Sequence, residues 1–206
     1  MRAIVCESFA SPDSLEIHEK PQPVPSGNEV LVKVEATGLG YVDALMVAGL
    51  YQIKPALPFI PASEISGVIE STGESVQHLS VGQRILATPS NGGLAEYITL
   101  SENRCTPIPD SLSYDNAASF LVNYCTAHHG LEYCGNVKEN ETILVLGASG
   151  GVGVAAIDVA KAKGARVIAA ASSKTKRSSC LAAGADHVID YSVCGWRDEL
   201  KKILNG

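Results

Sequence analysis

The chain has 206 residues, a net charge of -6 and a pI of about 5.3. Hydrophobic residues make up 46% and charged residues 18%, a composition that excludes a disordered chain and allows one large domain or two small ones. The diffuse negative charge repels phosphate backbones, so we expect no nucleic-acid partner.

The start of the chain, its apolar runs and its cysteines indicate the cellular compartment. Met1–Val5 has the pattern of a strand and not of a signal or transit peptide. No apolar run approaches the ~20 residues that a membrane-spanning helix needs. The six cysteines are scattered and include no CxxC pair, which is typical of small buried side chains in a reducing environment. We therefore expect a cytoplasmic protein that does not enter a membrane.

Residues 1 to about 110 predict a mainly β region. Short runs of alternating apolar and polar residues, such as Val30–Glu35 and Ile65–Glu70, are separated by turn signals. Tyr41–Val47 is the best candidate for a short helix among them. Several short strands at this spacing predict a barrel or a sandwich.

After Pro109 the pattern changes to alternating helices and strands. Two helices, over Ser113–Leu121 and Tyr124–Cys134, precede a regular βαβαβ order. The predicted elements of that order are a strand at Thr142–Leu146, a helix at Val152–Lys163, a strand at Arg166–Ala171, a helix at Lys174–Ala183, a strand at His187–Asp190 and a last helix at Arg197–Leu204. This alternation predicts a parallel, doubly wound sheet, with a domain boundary between residues 110 and 125.

The turn between the first of these strands and its helix has the pattern of a dinucleotide site. Ala148-x-Gly150-x-x-Gly153 follows the strand Thr142–Leu146 and opens the helix. Gly150 allows the backbone to approach a pyrophosphate, and Gly153 allows the helix to pack closely on the strand. Ala148 stands where the first glycine is usual, so the turn is a variant. The alternative interpretation is a tight turn without a ligand.

The end of the next strand indicates the cofactor. NAD sites usually carry an acid ~20 residues after the glycines, whereas this chain has Ala171, Ser172 and Ser173 there and no acid before Asp186. A basic cluster follows, formed by Lys174, Lys176 and Arg177. Hydroxyls and cations suit the 2′-phosphate of NADPH. The other interpretation is a solvated start of a helix, where cations oppose the helix dipole.

The order of a β-rich region followed by Gly147–Gly153 resembles the medium-chain dehydrogenase/reductase superfamily, in particular its quinone oxidoreductase (zeta-crystallin-like) branch. The resemblance runs from end to end of the chain, and its further motifs are Gly49–Tyr51, Leu57–Pro61, Val81–Arg84, Gly93–Tyr97 and Gly184–Tyr191. It implies a GroES-like catalytic domain over residues 1–120 and the first half of an NADP-binding Rossmann domain over residues 121–206.

The resemblance also implies site residues. Tyr51 and Thr126 correspond to residues beside the nicotinamide, and Ser149, Gly150, Gly151 and Val152 to the pyrophosphate loop. Ser172, Lys176 and Tyr191 correspond to residues around the 2′-phosphate. Gly40 departs from the branch, which often has an asparagine at this place.

We expect no metal site. Zinc-dependent relatives carry a cysteine in the stretch that matches Ala36–Gly40 and a histidine where this chain has Ser63. Zinc requires several nitrogen or sulfur ligands, and no such set occurs at useful spacing. Without a Lewis acid, reduction of a quinone or an α,β-unsaturated carbonyl is favoured over alcohol oxidation, because a conjugated acceptor spreads the negative charge.

Two functions remain open from the sequence. The first is an NADPH-dependent quinone or enone reductase. The second is a catalytically silent nucleotide-binding or interaction protein, because only the first of the two βαβαβ halves that hold a dinucleotide is visible. The strand Thr142–Leu146 is expected to present an unpaired edge, so we also expect self-association, as a dimer or through that edge.

Overall fold

The computed structural model describes residues 1–205, which form two compact units, residues 1–121 and residues 122–205. Within the described residues, no helix combines the length and the apolar character needed to cross a membrane.

The first unit is built mainly of antiparallel strands. They are β1 (Arg2–Val5), β2 (Glu16–Glu19), β3 (Glu29–Gly38), β4 (Glu64–Thr72), β5 (Arg84–Ala87), β6 (Tyr97–Ser101) and β7 (Cys105–Pro107). Strands β1 and β2 pair with each other, and the other five form a sheet in the order β6-β3-β4-β5-β7. Alternate residues of β3 and β4, such as Val30, Val32 and Ile69, are fully buried in its core. The predicted mainly β region is therefore confirmed.

Two helices accompany these strands. Helix α1 (Tyr41–Val47) has the predicted bounds, and α2 (Tyr114–Ala118) is shorter than the predicted Ser113–Leu121. Ser113 accepts a hydrogen bond from the Asn116 N–H at 3.3 Å and so caps the start of α2.

The second unit contains a parallel sheet and its helices. Its elements are α3 (Leu121–His128), of which only the first residue belongs to the first unit, β8 (Thr142–Leu146), α4 (Gly151–Ala162), β9 (Arg166–Ala170), α5 (Lys174–Ala182), β10 (His187–Ile189) and α6 (Trp196–Asn205). The strands are parallel and lie in the order β10-β9-β8. This is the predicted βαβαβ arrangement.

One predicted helix is interrupted. The helix expected over Tyr124–Cys134 consists of the end of α3 followed by a wider π-helical segment, His129–Cys134. The Gly135 N–H donates to the carbonyl of Gly130, five residues earlier, at 2.8 Å. Apolar periodicity cannot distinguish this winding from an α-helix.

Strand β8 lies at the edge of the parallel sheet in the described part of the chain. It pairs with β9 on one side, its three central residues are half-buried, and the side chain of Leu146 is 61% exposed. By contrast, β9 is buried along four of its five residues because it lies between two strands.

Candidate functional site

The glycine-rich turn joins the carboxyl end of β8 to the start of α4. Gly147 carries the left-handed conformation, with φ of +65°, and a residue without a β-carbon adopts it without strain. The next residue, Ala148, is buried, and its N–H donates to the carbonyl of Ala170 at 3.2 Å. Alanine is therefore tolerated where the first glycine is usual, because the positive φ falls one residue earlier.

Gly153 lies in the first turn of α4, directly against the strand end. A β-carbon there would lie 2.6 Å from Ala148 Cα and 2.6 Å from the Gly147 carbonyl oxygen. At Gly150, the N-cap residue, the nearest atom would be 3.5 Å away. The helix therefore packs closely on the turn at Gly153, while the space around Gly150 stays free. A pyrophosphate site requires both features.

The start of α4 presents the expected loop to solvent. Gly150, Gly151 and Val152 are exposed and Ser149 is half-buried. The first turn of an α-helix leaves backbone N–H groups without intrahelical partners and carries a partial positive charge. These groups could hold the phosphates of a dinucleotide.

Two residues of α3 support this helix, and no pattern in the sequence predicted either of them. A β-carbon on Gly151 would lie 2.6 Å from Asn123 Oδ1, so the amide of Asn123 lies against the first residue of α4. The Tyr124 hydroxyl donates to Asp158 Oδ2 at 2.9 Å, and this hydrogen bond raises the pKa of Tyr124. Both contacts depend on how α3 packs on α4, which residue periodicity does not specify.

The expected 2′-phosphate residues lie on the two loops that follow β9 and β10. Ser173 caps α5 by accepting the Lys176 N–H at 3.3 Å. Lys176 and Tyr191 are exposed and Ser172 is half-buried. The two loops are adjacent, since the Ala171 N–H donates to the Ile189 carbonyl at 3.0 Å.

The basic cluster is smaller than the sequence indicated. Lys174 and Lys176 are exposed. Arg177, however, donates from Nη1 to Asp190 Oδ2 at 2.6 Å and to the Ala171 carbonyl at 3.1 Å. Arg177 is therefore paired with a carboxylate in this structure, and its grouping with the two lysines as a cation for a phosphate stays a prediction. The partner is 13 residues away and comes close only because β9 and β10 are neighbours.

Asp186, the first acid after β9, has a structural role. Its carboxylate contacts the Lys161 ammonium at 2.8 Å and accepts the Val167 N–H at 2.7 Å. These interactions, the Lys161 hydrogen bond first, lower its pKa. The side chain links α4 to β9.

The two expected nicotinamide residues lie in different units. Tyr51 follows α1, is half-buried, and its N–H donates to the Leu45 carbonyl at 3.2 Å. Thr126 is exposed on α3, and its hydroxyl donates to the carbonyl of Val122.

The positions that match zinc ligands are occupied by a different network. Asp43 is buried, accepts the Gly40 N–H at 2.8 Å and accepts the Ser63 hydroxyl at 3.3 Å. Gly40 and Asp43 line a mainly apolar cavity of about 150 Å³. A glycine and a hydrogen-bonded serine do not fit zinc, which prefers nitrogen and sulfur ligands. Within residues 1–205 no group of three or more His, Cys, Asp or Glu side chains could hold a metal ion.

Comparison with known proteins identifies both regions. The alcohol dehydrogenase GroES-like domain matches residues 26–110, and the zinc-binding dehydrogenase family matches residues 151–206. These matches confirm a GroES-like β domain followed by a partial Rossmann domain.

Whole-chain relatives agree with the family models. Mouse quinone oxidoreductase is 34% identical over 98% of this chain and 61% of its own length. The quinone oxidoreductase of Thermus thermophilus, whose structure was also solved with NADPH, is 36% identical, with a TM-score of 0.87. The match covers the whole of this chain and 64% of the T. thermophilus chain.

The structure of an NAD-dependent alcohol dehydrogenase is 30% identical in sequence, with a TM-score of 0.94. The match covers the whole of this chain and 68% of the dehydrogenase chain. The chain spans less than two thirds of the curated quinone oxidoreductases that it matches. On the family models, the identities and the shared fold, the chain belongs to the medium-chain dehydrogenase/reductase superfamily.

Proposed function

We propose that this chain binds NADPH and belongs to an oxidoreductase that transfers hydride to quinones or α,β-unsaturated carbonyls. The observation that carries the proposal is the turn from β8 to α4. Gly153 leaves no room for a side chain against Ala148, while Gly150 leaves its surroundings open. This combination permits a pyrophosphate to approach the start of α4.

The choice of NADPH rests on the loop after β9. Ser172 and Ser173 offer hydroxyls, Lys176 offers an exposed cation, and Tyr191 follows β10. An acid that would repel a 2′-phosphate is missing between Ala171 and Lys176. The T. thermophilus relative was solved with NADPH, whereas the alcohol dehydrogenase is described as NAD-dependent. Because relatives with this fold use either cofactor, the assignment of NADPH rests on the residues of the loop after β9 and not on the fold.

The proposed chemistry is zinc-independent. Bound NADPH would supply a hydride. Gly40 and Ser63, at the matching ligand positions, provide no nitrogen or sulfur side chain for zinc. A conjugated acceptor requires only hydrogen-bond donors for the oxygen on which charge develops, and a proton from water or a tyrosine.

Tyr51 and Thr126 are the residues that we propose to contact the nicotinamide. Each carries a hydroxyl that can donate or accept, and each substitution, Tyr51→Phe and Thr126→Val, removes that group while keeping the shape. We also propose that residues 1–120 form the catalytic domain and residues 121–206 the first half of the NADP-binding domain.

A second candidate is a catalytically silent nucleotide-binding protein. The described residues contain one βαβαβ half, with strands in the order β10-β9-β8, which carries the turn for the adenosine and pyrophosphate part of a dinucleotide. This catalytically silent nucleotide-binding protein differs from the first proposal in activity and not in the site.

Steady-state reduction of 9,10-phenanthrenequinone, with NADPH and then with NADH, separates the two candidates. Turnover that is faster with NADPH, and that falls in Tyr51→Phe or Thr126→Val, supports the reductase. NADPH binding without any turnover supports the silent protein. Turnover with NADH alone contradicts the cofactor assignment in both.

A further inference from the structure

Arg177 and Asp190 form an ion pair at the carboxyl ends of β9 and β10. The Arg177 Nη1 lies 2.6 Å from Asp190 Oδ2, and the two side chains are only 22% and 23% exposed. The same Nη1 donates to the Ala171 carbonyl at 3.1 Å. One guanidinium therefore joins the end of β9 to the residue that follows β10.

The other oxygen of Asp190 extends this connection. Asp190 Oδ1 accepts the Ser192 N–H at 3.0 Å and also the Ser192 hydroxyl. The Ser192 hydroxyl lies 3.4 Å from the carbonyl of Ser172. Hydrogen bonds from Ser192 and the charge of Arg177 lower the pKa of Asp190, so the carboxylate stays ionised at neutral pH.

The members of the network are adjacent in sequence to the proposed phosphate residues. Ser172 and Ser173 follow Ala171, and Tyr191 lies between Asp190 and Ser192. Lys176 precedes Arg177 on α5, and its N–H is held by Ser173. Every residue that we propose for the 2′-phosphate is thus within one residue of a member of this network.

Removing two charges from water offsets much of their attraction, so the pair is weak evidence for stability. Its geometry, which joins two loops through one guanidinium, indicates a role in fixing their arrangement. Arg177 is also unavailable as a free cation, since Asp190 balances its charge.

We infer that Arg177 and Asp190 act as a clamp of positioning residues, which holds the 171–173 and 190–192 loops together and thereby sets the preference for a dinucleotide with a 2′-phosphate. This inference rests on the proposed NADPH function. It assigns Arg177 an indirect role, in contrast to the direct charge expected for Lys176.

The variants Arg177→Met, Asp190→Asn and the double variant separate these roles. The clamp predicts that each single change lowers the ratio of NADPH to NADH affinity by about fivefold to tenfold, and that the double change is no worse than either, because residues in one network couple. Arg177→Lys, which keeps the charge, should restore part of the ratio. Arg197→Met removes the same charge from α6, where Arg197 stacks on Trp196, and should leave the ratio unchanged.

Asp190→Asn gives the sharpest contrast. If Arg177 acted through its own charge, this change would free a cation and leave NADPH binding equal or tighter, which would overturn the clamp. Additive losses in the double variant would overturn it as well.

Amide hydrogen exchange of the cofactor-free chain provides a readout independent of binding. The clamp predicts faster exchange at Ser172, Ser173, Tyr191 and Ser192 in both single variants, with β8 and β9 unchanged. Unaltered exchange at these amides overturns the clamp, whereas an unsubstituted chain that binds neither dinucleotide overturns the proposed function instead.

Discussion

Gly153 packs against Ala148 so closely that a β-carbon on the glycine would lie 2.6 Å from the alanine Cα. The contact is with backbone atoms, which cannot turn aside. We expect Gly153→Ala to lower the free energy of unfolding by about 1–3 kcal/mol and to weaken NADPH binding, because the start of α4 must move. Chemical denaturation and a cofactor titration measure the two effects.

Gly130→Ala is the matched control for that substitution. A β-carbon at Gly130 meets no atom within 4 Å, so the same change in the same unit should leave stability and NADPH affinity nearly unaltered. Equal effects of the two substitutions would contradict the close packing assigned to Gly153.

Lys176→Glu tests the proposed contact with the 2′-phosphate. Loss of a charge-assisted hydrogen bond should weaken NADPH binding by about tenfold to hundredfold while leaving NADH nearly unchanged. Lys202→Glu on α6 makes the same change in net charge and should alter neither affinity. Equal losses for both cofactors would show that Lys176 does not contact the 2′-phosphate.

The sequence predicted the bounds of helices and strands, which depend on local pattern. It did not predict side-chain pairs that depend on the order of the strands. The bounds of β8 and α1 follow from apolar runs with clear ends, and both agree with the structure. The pairing of Arg177 with Asp190 depends on the order of the strands and on the rotation of α5. Neither can be derived from residue spacing, so the arginine looked like one of three free cations.

Asp186 predicts a measurable dependence of stability on acid. Its pKa is lowered in the folded protein, chiefly by the Lys161 hydrogen bond, so its stabilising effect is complete above the ordinary value of 3.8 and is lost as the pH falls through the lowered folded value. Asp186→Asn should reduce stability at pH 7 by about 1 kcal/mol, because the pair is partly screened.

Urea denaturation of Asp186→Asn at neutral pH and at pH near 3 checks this sign. The difference from the unsubstituted chain should shrink in acid. Asp198→Asn, in an exposed α6 pair at 3.4 Å from Lys201, should have little effect at neutral pH. A deficit in Asp186→Asn that grows in acid would contradict the role of its ionised form.

We propose that a chain of the described residues, taken alone, self-associates through the edge of β8. A half-exposed strand edge can pair with another chain, and Leu146 adds an exposed apolar side chain at its end. We expect light scattering to show a mass that rises with concentration. Leu146→Lys should suppress this rise, whereas Leu181→Lys, on the exposed part of α5, should not. A monodisperse monomer at all concentrations would contradict this prediction.

Zinc independence predicts an insensitivity to chelators. Metal analysis should find no stoichiometric zinc, and EDTA should leave the thermal midpoint unchanged, because a structural zinc would contribute directly to folding. A fall of the midpoint on chelation, restored by added zinc, would contradict the zinc-independent chemistry proposed from Gly40 and Ser63.

Calorimetric titration of the purified chain with NADPH, and then with NADH, tests the central claim most directly. The β8–α4 turn and the loop after β9 predict one saturable site for NADPH and an affinity for NADH that is at least about tenfold weaker, the difference expected from one charge-assisted contact. Equal affinities would contradict the 2′-phosphate assignment. The absence of binding to either dinucleotide would contradict the proposed function itself.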